Sequence, residues 1–288
     1  MPTVCDLLDR AEPSIRRSKN VDLWRTSDAR VNAEELLAKV IGKEITSELL
    51  DDSVTPAQVR RYETLVARRA AGEPVAAIVG YTDFMKMRLL VRKDVFIPRN
   101  SSEFLATKAI ARLRSRKHPV AVDVATGIGP VALAVARAVP KGKVFGLDVW
   151  TPSLKVARSN AERLRIRNVQ FLKSDMLSAM PSKMQGKIDV FTIHPPYVAR
   201  SAVRGLPREI KNYEPKVSLS DNSGDGLGLV RKIATDAPDW LRQGGWLLVE
   251  VSPDLSRQVA AILRAGRFKN VKSERDSLGA TRVISGRA

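Results

Sequence analysis

A glycine-rich loop between an apolar strand and a helix constrains the fold of this chain more than any other feature. The loop, residues 123–129, overlaps the end of an apolar run at residues 120–124. Gly127 and Gly129 allow the backbone to turn tightly and to approach a ligand where a Cβ atom would clash. Together with Ala132 they also fit the spacing of a dinucleotide fingerprint, so the loop alone leaves a nicotinamide or flavin enzyme open.

Predicted strands and helices alternate from residue 120 onward, and we assign residues 98–288 to one catalytic domain. Alternation with short connections indicates an open, mainly parallel sheet with helices on both faces. The ligand of such a sheet lies beyond the carboxyl ends of its strands. The predicted strands are residues 120–124, 143–148, 169–172, 188–193, 245–251, 270–274 and 281–285, and the predicted helices are 131–138, 152–164 and 229–241.

Residues 1–73 have a helical pattern, because apolar residues recur at intervals of three and four. Thr55 followed by Pro56 predicts the start of a helix over residues 56–71. This part of the chain has no glycine loop and no cluster of titratable residues. We therefore interpret residues 1–73 as a helical domain that recruits the substrate.

Residues 74–97 are predicted to form a β-hairpin linker, since two apolar runs, the first of them at 75–80, flank a more polar stretch. The triplet Ser101-Ser102-Glu103 then predicts the cap of a helix over residues 102–114.

Composition excludes several classes of protein. The single cysteine, Cys5, rules out an internal disulfide and a thiolate metal cluster, and two histidines far apart in the sequence, His118 and His194, do not indicate a metal site. The apolar runs are too short to span a bilayer, and residues 1–10 lack the apolar core of a signal peptide. We expect a cytoplasmic protein that is not associated with a membrane.

The net charge is +18, from 49 Lys and Arg against 31 Asp and Glu. Such a charge favours nucleic acid, a ribosome-bound partner or an acidic substrate, and a generally basic, soluble surface is the alternative. The cations are scattered along the chain, and aromatic residues make up only 5% of it, which is few for stacking on single strands. Nucleic acid is therefore a possible partner but not the favoured one.

Two acidic residues lie at or just after the carboxyl ends of predicted strands. Asp148 ends the second strand, 19 residues after Gly129, where an acidic side chain accepts hydrogen bonds from ribose hydroxyls. Capping of the next helix is the alternative. Asp175 and Met176 follow the third strand, where the carboxylate can accept from an adenine amino group and the apolar neighbour can cover the ring. Capping of the next turn explains Asp175 equally well.

The run His194-Pro195-Pro196-Tyr197 after the fourth strand discriminates between a nicotinamide or flavin cofactor and S-adenosylmethionine. Two consecutive prolines fix an extended turn, and a rigid carbonyl aimed into a pocket can accept a hydrogen bond from a nitrogen nucleophile. Tyr197 then supplies a flat wall. A dehydrogenase does not need this feature, so the two motifs together favour an enzyme that methylates nitrogen with S-adenosylmethionine.

These motifs resemble those of the release-factor glutamine methyltransferases, which methylate a glutamine side-chain amide in translation termination factors. The likeness covers nearly the whole chain. The matching motifs are Gly72-Glu73-Pro74-Val75, Ile78-Val79-Gly80, Ile97-Pro98-Arg99 with Glu103, Asp123 and Thr126 with Gly127 and Gly129, Ala157-Arg158 with Asn160-Ala161, Pro195-Pro196-Tyr197-Val198, Tyr213-Glu214-Pro215, Gly224-Asp225-Gly226-Leu227 and Gly244-Gly245-Trp246.

The resemblance implies an α/β fold with a seven-stranded, Rossmann-like class I methyltransferase sheet, an N-terminal helical domain and a connecting β-hairpin. It implies S-adenosylmethionine as the cofactor and no metal. The implied cofactor-binding residues are Asp123, Ala125, Thr126, Gly127, Gly129, Asp148, Val149, Asp175, Met176 and His194. The implied catalytic residues are His194, Pro195 and Tyr197, and the implied substrate-binding residues are Arg99, Glu103, Pro196 and Tyr197.

His194 stands where the family has Asn. An Asn side chain accepts from the NH2 group and donates to the carbonyl of a primary amide in one plane, whereas the two imidazole nitrogens lie on opposite sides of the ring. A histidine can instead take a proton from an amine, imidazole, phenol or acid near neutral pH. The other departures are Asn100-Ser101-Ser102 for Pro-Glu-Thr, Ala125 for Gly, and Ser252-Pro253 for Gly.

The leading hypothesis from the sequence is a methyltransferase whose acceptor pocket is redirected by His194 towards a specialised small molecule or peptide. The first alternative is N5-methylation of the glutamine of peptide chain release factors. The second is N-methylation of a nucleic-acid base, which the charge would also explain. The third is a binding protein that keeps the cofactor fold without turnover.

Overall fold

The computed structural model describes residues 1–22 and 28–288. The helices of this part of the chain are α1 (Val4–Arg16), α2 (Ala29–Ile41), α3 (Pro56–Ala70), α4 (Val75–Val79), α5 (Ser101–Leu113), α6 (Pro130–Ala138), α7 (Thr151–Arg163), α8 (Arg208–Tyr213), α9 (Gly228–Trp240) and α10 (Ser256–Ala265). The strands are β1 (Tyr81–Phe84), β2 (Met87–Leu90), β3 (Val120–Val124), β4 (Lys143–Asp148), β5 (Val169–Lys173), β6 (Ile188–Ile193), β7 (Leu241–Glu250), β8 (Lys269–Arg275) and β9 (Thr281–Arg287).

The chain divides into two compact units. The first consists of residues 1–81, 91–93 and 204–214, and the second of residues 82–90, 94–203 and 215–288. None of the helices described is long and apolar enough to cross a membrane.

The first unit is helical, and its side-chain caps explain where its helices begin. Thr3 and Asp6 form a capping box at α1, and Asp28 accepts from the backbone of Arg30 at the start of α2. Thr55 and the residue three positions on form a second capping box at α3, which confirms the helix predicted from Thr55 and Pro56. The helices bury apolar side chains from α1, α2, α3 and α4 in one core.

The run at residues 75–80 was predicted to begin the hairpin, and this prediction is wrong. Residues Val75–Val79 form helix α4, with Pro74 at its N-cap and Gly80 ending it at a φ of +88°. A short apolar run bounded by Pro and Gly fits a buried helix as well as a strand, so its periodicity could not decide. Gly80 separates this helix from the hairpin, whose first strand, β1, begins at Tyr81.

The hairpin of β1 and β2 is held by two polar contacts. The backbone NH of Met85, in the turn, donates to Glu103 Oε1 at 2.6 Å, and the NH of Leu90 donates to Asn160 Oδ1 at 2.7 Å. Glu103 lies on α5 and Asn160 on α7, so the turn of the hairpin and its second strand are tied to helices of the second unit.

A seven-stranded sheet in the order β5-β4-β3-β6-β7-β9-β8 forms the second unit, as predicted. Strands β3 to β7 are parallel to one another, and β9 is antiparallel to both β7 and β8. All six residues of β6 are buried. Because successive side chains of a strand point to opposite faces, both faces of the sheet centre are covered.

A buried ion pair fixes the segment 204–214 within the first unit. Arg69, which is fully buried, lies 3.2 Å from Glu209 and donates to Asn32 Oδ1 at 2.6 Å and to the carbonyl of Glu73 at 3.0 Å. Glu209 also accepts from the backbone NH of Asp22 at 3.0 Å. These partners offset part of the loss of hydration of both charges, while Glu209 Oε1 is buried without a hydrogen bond from a described residue.

Replacing Glu209 by Ala leaves the guanidinium of Arg69 buried without its carboxylate. We expect a loss of about 3–5 kcal/mol in the free energy of unfolding, measured by urea denaturation. The matched control is Arg267→Ala, because Arg267 and its partner Asp239 form an exposed pair, and this substitution should leave stability nearly unchanged. Equal losses in both variants would contradict a structural role of the buried pair.

Candidate active site

A cavity of about 270 Å³ lies at the carboxyl ends of β3, β4, β5 and β6. The predicted site residues that line it are Asp123, Ala125, Thr126, Gly127, Asp148, Val149, Asp175, Met176, His194 and Pro196. The predicted residues that are not part of the lining are Gly129, Arg99, Glu103, Pro195 and Tyr197. The structure therefore brings most of the predicted cofactor residues to one place, where the sheet topology puts a ligand.

The glycine loop uses left-handed backbone at three positions. The φ angles are +54° at Ala125, +56° at Gly127 and +85° at Gly129. A Cβ atom at Gly127 would meet no atom within 4 Å, whereas one at Gly129 would lie 2.8 Å from the ring of Phe171. Gly127 thus leaves open space at the cavity, and Gly129 permits close packing of the loop. Ala125, which replaces a glycine of the family pattern, costs about 1–2 kcal/mol in this conformation.

Asp123 connects the loop to the neighbouring strand. Its carboxylate accepts from Thr126 Oγ1 at 2.6 Å and from Thr192 Oγ1, at the end of β6, at 2.7 Å. Burial raises the pKa of Asp123 to about 6, and the two hydroxyl donors act against that shift. Thr192 lies two residues before His194, so this carboxylate holds both predicted motifs at a fixed separation.

Asp148 is positioned at the end of β4 by two backbone donors. Gly127 NH donates to its Oδ2 at 2.8 Å, and Trp150 NH donates to its Oδ1 at 2.7 Å. Burial raises the pKa of Asp148, and these NH donors oppose the shift. Helix α7 begins with Trp150 as its N-cap residue and without a side-chain cap. The carboxylate therefore lines the cavity and also bonds the N-cap residue of α7, and its role towards ribose stays a prediction.

Asp175, Met176 and Val149 complete the predicted cofactor wall. The Asp175 side chain is exposed and lies 3.1 Å from Lys232 Nζ of α9. Met176 is buried and has a φ of +52°. Val149 is exposed although it lines the cavity. A polar group at the rim beside apolar surface suits a flat heteroaromatic ring, and the role of these residues stays a prediction.

His194 is held by polar and aromatic neighbours. Its Nδ1 lies 3.1 Å from Ser102 Oγ and 3.3 Å from Glu250 Oε2. The ring of Phe96 meets the imidazole edge-on at a centroid distance of 5.5 Å, and Tyr197 stacks on it at 5.6 Å. Nε2 hydrogen-bonds to none of the described residues. The imidazole therefore has one nitrogen occupied within the protein and one available.

Glu250, at the end of β7, is a site residue that sequence reasoning missed. Its Oε1 accepts from Ser101 Oγ at 2.7 Å, and its buried Oε2 has no hydrogen bond from the described residues other than the approach of His194 Nδ1. The Glu250 side chain is buried, with 3% of its surface exposed. No sequence signal distinguished Glu250, because it lies 56 residues after His194 and only the pairing of β6 with β7 brings the two together.

The predicted helix cap at Ser101-Ser102-Glu103 is wrong. Helix α5 begins at Ser101, with Asn100 as its N-cap residue and no side-chain cap bond. The three side chains face other elements: Ser101 bonds Glu250, Ser102 bonds His194, and Glu103 accepts from the hairpin turn. Serine is a common residue at helix caps, but the hydroxyls of both serines form hydrogen bonds with side chains of other elements.

Of the predicted substrate residues, Tyr197 stacks on His194, and Arg99 and Glu103 contact other side chains and backbone. Arg99 lies over the ring of Phe96, with Cζ 4.7 Å from the ring centroid. Glu103 is engaged by the hairpin turn. Tyr197 pairs with Ser220 in an isolated bridge, and a Cβ atom at Gly226 would lie 2.2 Å from the Tyr197 carbonyl oxygen. Only glycine at position 226 allows this approach, which explains its place in the family motif. Phe96 and Ser102 line the cavity and were not predicted.

The geometry of the sheet and its loops defines the class of protein. A seven-stranded sheet, a glycine loop after its first parallel strand and an acidic residue after the second are the arrangement of class I methyltransferases. A family model described as a methyltransferase domain matches residues 115–250, and one described as the PrmC N-terminal domain matches residues 23–80. The predicted fold and enzyme class are confirmed.

The relatives specify the family. A release factor glutamine methyltransferase of Bordetella pertussis (strain Tohama I) is 34% identical over 259 residues, which is 89% of this chain and 94% of the relative. A protein of the same name from Neisseria gonorrhoeae (strain FA 1090) is 36% identical over 234 residues, covering 81% of this chain and 83% of the relative. The chain belongs to the release factor glutamine methyltransferase family.

A solved structure shares the fold at low identity. The 16S rRNA N2 G1207 methyltransferase (RsmC) of T. thermophilus, in complex with AdoMet and guanosine, matches with a TM-score of 0.52 and 18% identity. The match covers 72% of this chain and 49% of that chain, and it shows the fold alone. The relatives named above carry the name of the first alternative from the sequence, and not that of the leading hypothesis.

Asp123 gives a pH-dependent prediction. Because its pKa of about 6 in the folded protein lies above the usual 3.8, the folded protein keeps a proton that the unfolded chain has lost between these values. The contribution of Asp123 to stability therefore falls as pH rises through this window and is constant above it. Relative to wild type, Asp123→Asn should gain on the order of 2–3 kcal/mol between about pH 4 and pH 6.

Urea unfolding of both proteins across this pH range measures the difference. Asp51→Asn, at an exposed position, controls for the loss of a carboxylate from the surface. A stability difference between Asp123→Asn and wild type that does not change with pH would show that Asp123 is ionised in the folded protein throughout.

Proposed function

We propose that this protein transfers a methyl group from S-adenosylmethionine to the side-chain amide nitrogen of a glutamine in a peptide chain release factor. The support is the family membership over most of the chain together with a cavity at the position where class I methyltransferases hold their cofactor. The observation that carries the proposal is the joint placement of Asp148, Gly127 and His194 around one cavity.

The residues present fit S-adenosylmethionine. Asp148 presents a carboxylate fixed by two NH donors, and such a group accepts hydrogen bonds from ribose hydroxyls. Gly127 leaves space for a ligand where a side chain would project. The apolar lining, including Leu147 and Leu229, suits the adenine ring. When bound, the cofactor supplies an electrophilic methyl group on a sulfonium.

The acceptor amide is held by groups at the end of β6. The Pro195 carbonyl has no neighbouring prolyl NH to bond, so it can accept from the amide NH2 group. Tyr197 stacks on His194 and limits the movement of the imidazole. Most of the rate acceleration in such a site comes from positioning the nucleophile, since the transfer itself needs no covalent step on the protein.

Glu250 determines which hydrogen bond His194 offers. A carboxylate can only accept, so its approach to Nδ1 favours the tautomer that carries the proton on Nδ1. Ser102 is compatible with either tautomer, because a hydroxyl both donates and accepts. Nε2 is then an acceptor, and it can take a hydrogen bond from the amide NH2 as the oxygen of an Asn would. Glu250 acts through His194 and is a positioning residue.

Having His194 in place of the Asn of the family pattern costs the site one hydrogen bond to the acceptor amide. With Nδ1–H directed to Glu250, the imidazole has no donor for the carbonyl of the amide. An unsatisfied partner costs on the order of 1–3 kcal/mol, which corresponds to roughly tenfold to a hundredfold in rate or affinity. Glutamine methylation is therefore slowed but not abolished by His194. A small-molecule acceptor, the leading hypothesis from the sequence, remains the competing proposal.

The test is methyl transfer from labelled S-adenosylmethionine to a release factor that carries its glutamine loop. We expect the wild-type protein to label the factor and His194→Asn to label it about tenfold faster or more, since the amide carbonyl regains a donor. His118→Asn is the matched control, because His118 is the other histidine of the chain and is exposed. Absence of labelling by both wild type and His194→Asn, with cofactor binding intact, would overturn the proposal.

The tautomer of His194 is a separate prediction. Nitrogen-15 NMR of histidine-labelled protein shows the ring nitrogens of two imidazoles, and the loss of one pair of signals in His118→Asn assigns them. At a pH where both rings are neutral, we expect His194 to carry its proton on Nδ1. Glu250→Gln should move that proton to Nε2, because Ser101 retains the glutamine oxygen and the NH2 group then faces Nδ1.

The same variant should lower kcat for the acceptor by roughly tenfold to a hundredfold without changing the affinity for S-adenosylmethionine. A wild-type His194 with its proton on Nε2, or a Glu250→Gln protein with an unchanged tautomer, would contradict the positioning role of Glu250 whatever the acceptor is.

A further inference from the structure

The sheet edge opposite the cavity is strongly basic. Six segments lie immediately before or at the amino ends of its strands: residues 114–119, 141–143, 165–168, 183–187, 242–245 and 267–269. They contain twelve Lys and Arg and no Asp or Glu. We call this set the basic edge; its members are Arg114, Arg116, Lys117, Lys141, Lys143, Arg165, Arg167, Lys183, Lys187, Arg242, Arg267 and Lys269.

The topology gathers these cations, although they are scattered along the sequence. Strands β3 to β7 run parallel, and β8 has the same direction because β9 is antiparallel to both β7 and β8. The register aligns the strand starts, with Val120 beside Lys143 and Val144 beside Val169. Seven strands spaced by about 4.8 Å spread the basic edge over roughly 30 Å.

Most of these charges face solvent without a partner. Eleven of the twelve residues are exposed, and Arg242 is partly exposed. Arg116 and Arg242 lie 3.6 and 2.9 Å from the buried Asp189, and Arg267 pairs with Asp239. The other nine form no salt bridge with any described residue. Repulsion among them is therefore relieved only by solvent, salt or an anionic partner.

The basic edge lacks the anchors of a protein interface. Of the large apolar residues of its segments, Met184 and Phe268 are buried in the core and Ile166 is half-buried. Stable protein interfaces depend on buried aromatic and apolar anchors. Nucleic-acid backbones need no such anchors, because release of counterions from the phosphates supplies the binding energy.

We propose that the basic edge binds the phosphate backbone of a nucleic acid without reading its sequence. The length of the edge matches an extended polyanion, and its Arg and Lys donors suit phosphate oxygens. The cavity lies at the carboxyl ends of the same strands, so the bound nucleic acid would not occupy the methyl-transfer site. The proposal is independent of the acceptor.

The experiment measures binding of a fluorescein-labelled RNA of about 20 nucleotides and a duplex DNA of about 20 base pairs by anisotropy, at salt concentrations between about 50 and 200 mM. The full chain is compared with a variant carrying Lys141→Gln, Lys143→Gln, Lys183→Gln and Lys187→Gln. The matched control carries Lys43→Gln, Arg60→Gln, Arg61→Gln and Arg257→Gln, which are exposed elsewhere and give the same net charge. Circular dichroism verifies that both variants fold.

We expect wild type and control to bind with similar affinity and the basic-edge variant to lose at least tenfold. The slope of log K against log salt should become shallower by about 3 in that variant, since four phosphate contacts are removed. Equal losses in both variants would show that only net charge matters and would overturn the proposal. So would absence of wild-type binding at low salt, or equal competition by polyglutamate or by vesicles containing phosphatidylserine.

Discussion

The buried carboxylate of Asp123 is the constraint on which the active site depends. It accepts hydrogen bonds from Thr126 in the glycine loop and from Thr192 at the end of β6, and it lies beneath the cavity that both loops line. Burying this group costs free energy, and the two hydroxyl donors offset part of that cost. Because β3 and β6 are direct neighbours in the sheet, the distance between the glycine loop and His194 is set by buried bonds. The exposed parts of the loops can then vary, as Ala125 does, without separating the two halves of the site.

The sheet was predictable because strands buried on both faces are near-continuous apolar runs. The strands predicted at residues 143–148 and 188–193 have the same bounds in the structure. Predictions failed where a short sequence is compatible with two structures. Residues 75–79 are too few for hydrophobic periodicity to distinguish a helix from a strand. The hydroxyls of Ser101 and Ser102 suit a helix cap, but they bond Glu250 and His194. Most residues predicted to bind the cofactor line the cavity, since each lies at or just after the carboxyl end of a strand, and their role stays a prediction. Glu250 could not be predicted, because its function depends on a strand pairing that no motif in a single sequence reports.

The replaced residues around His194 are physically consistent with each other. In the family pattern an acidic residue stands at position 101, and here it is Ser101, which donates to Glu250. A second carboxylate at that place would lie beside Glu250 in a buried site, where two like charges repel strongly. With a hydroxyl there, Glu250 remains a single carboxylate with one oxygen directed to His194 Nδ1. The imidazole therefore has an orienting partner that an Asn side chain would not require. The two departures from the family pattern are explained together as one rearranged hydrogen-bond network.

The distribution of charge separates two functions along the strands. Each parallel strand begins near a Lys or Arg and ends near the cavity, so the basic residues add up at one edge although no part of the sequence is a basic tail. A strand such as β4, with six residues, places its ends roughly 20 Å apart. The Debye length is about 8 Å at physiological salt. Across the solvated surface, the field of the basic edge therefore falls over about two such lengths before it reaches the mouth of the cavity. A polyanion held at one edge would add affinity for a larger assembly and leave the chemistry at the other edge unchanged.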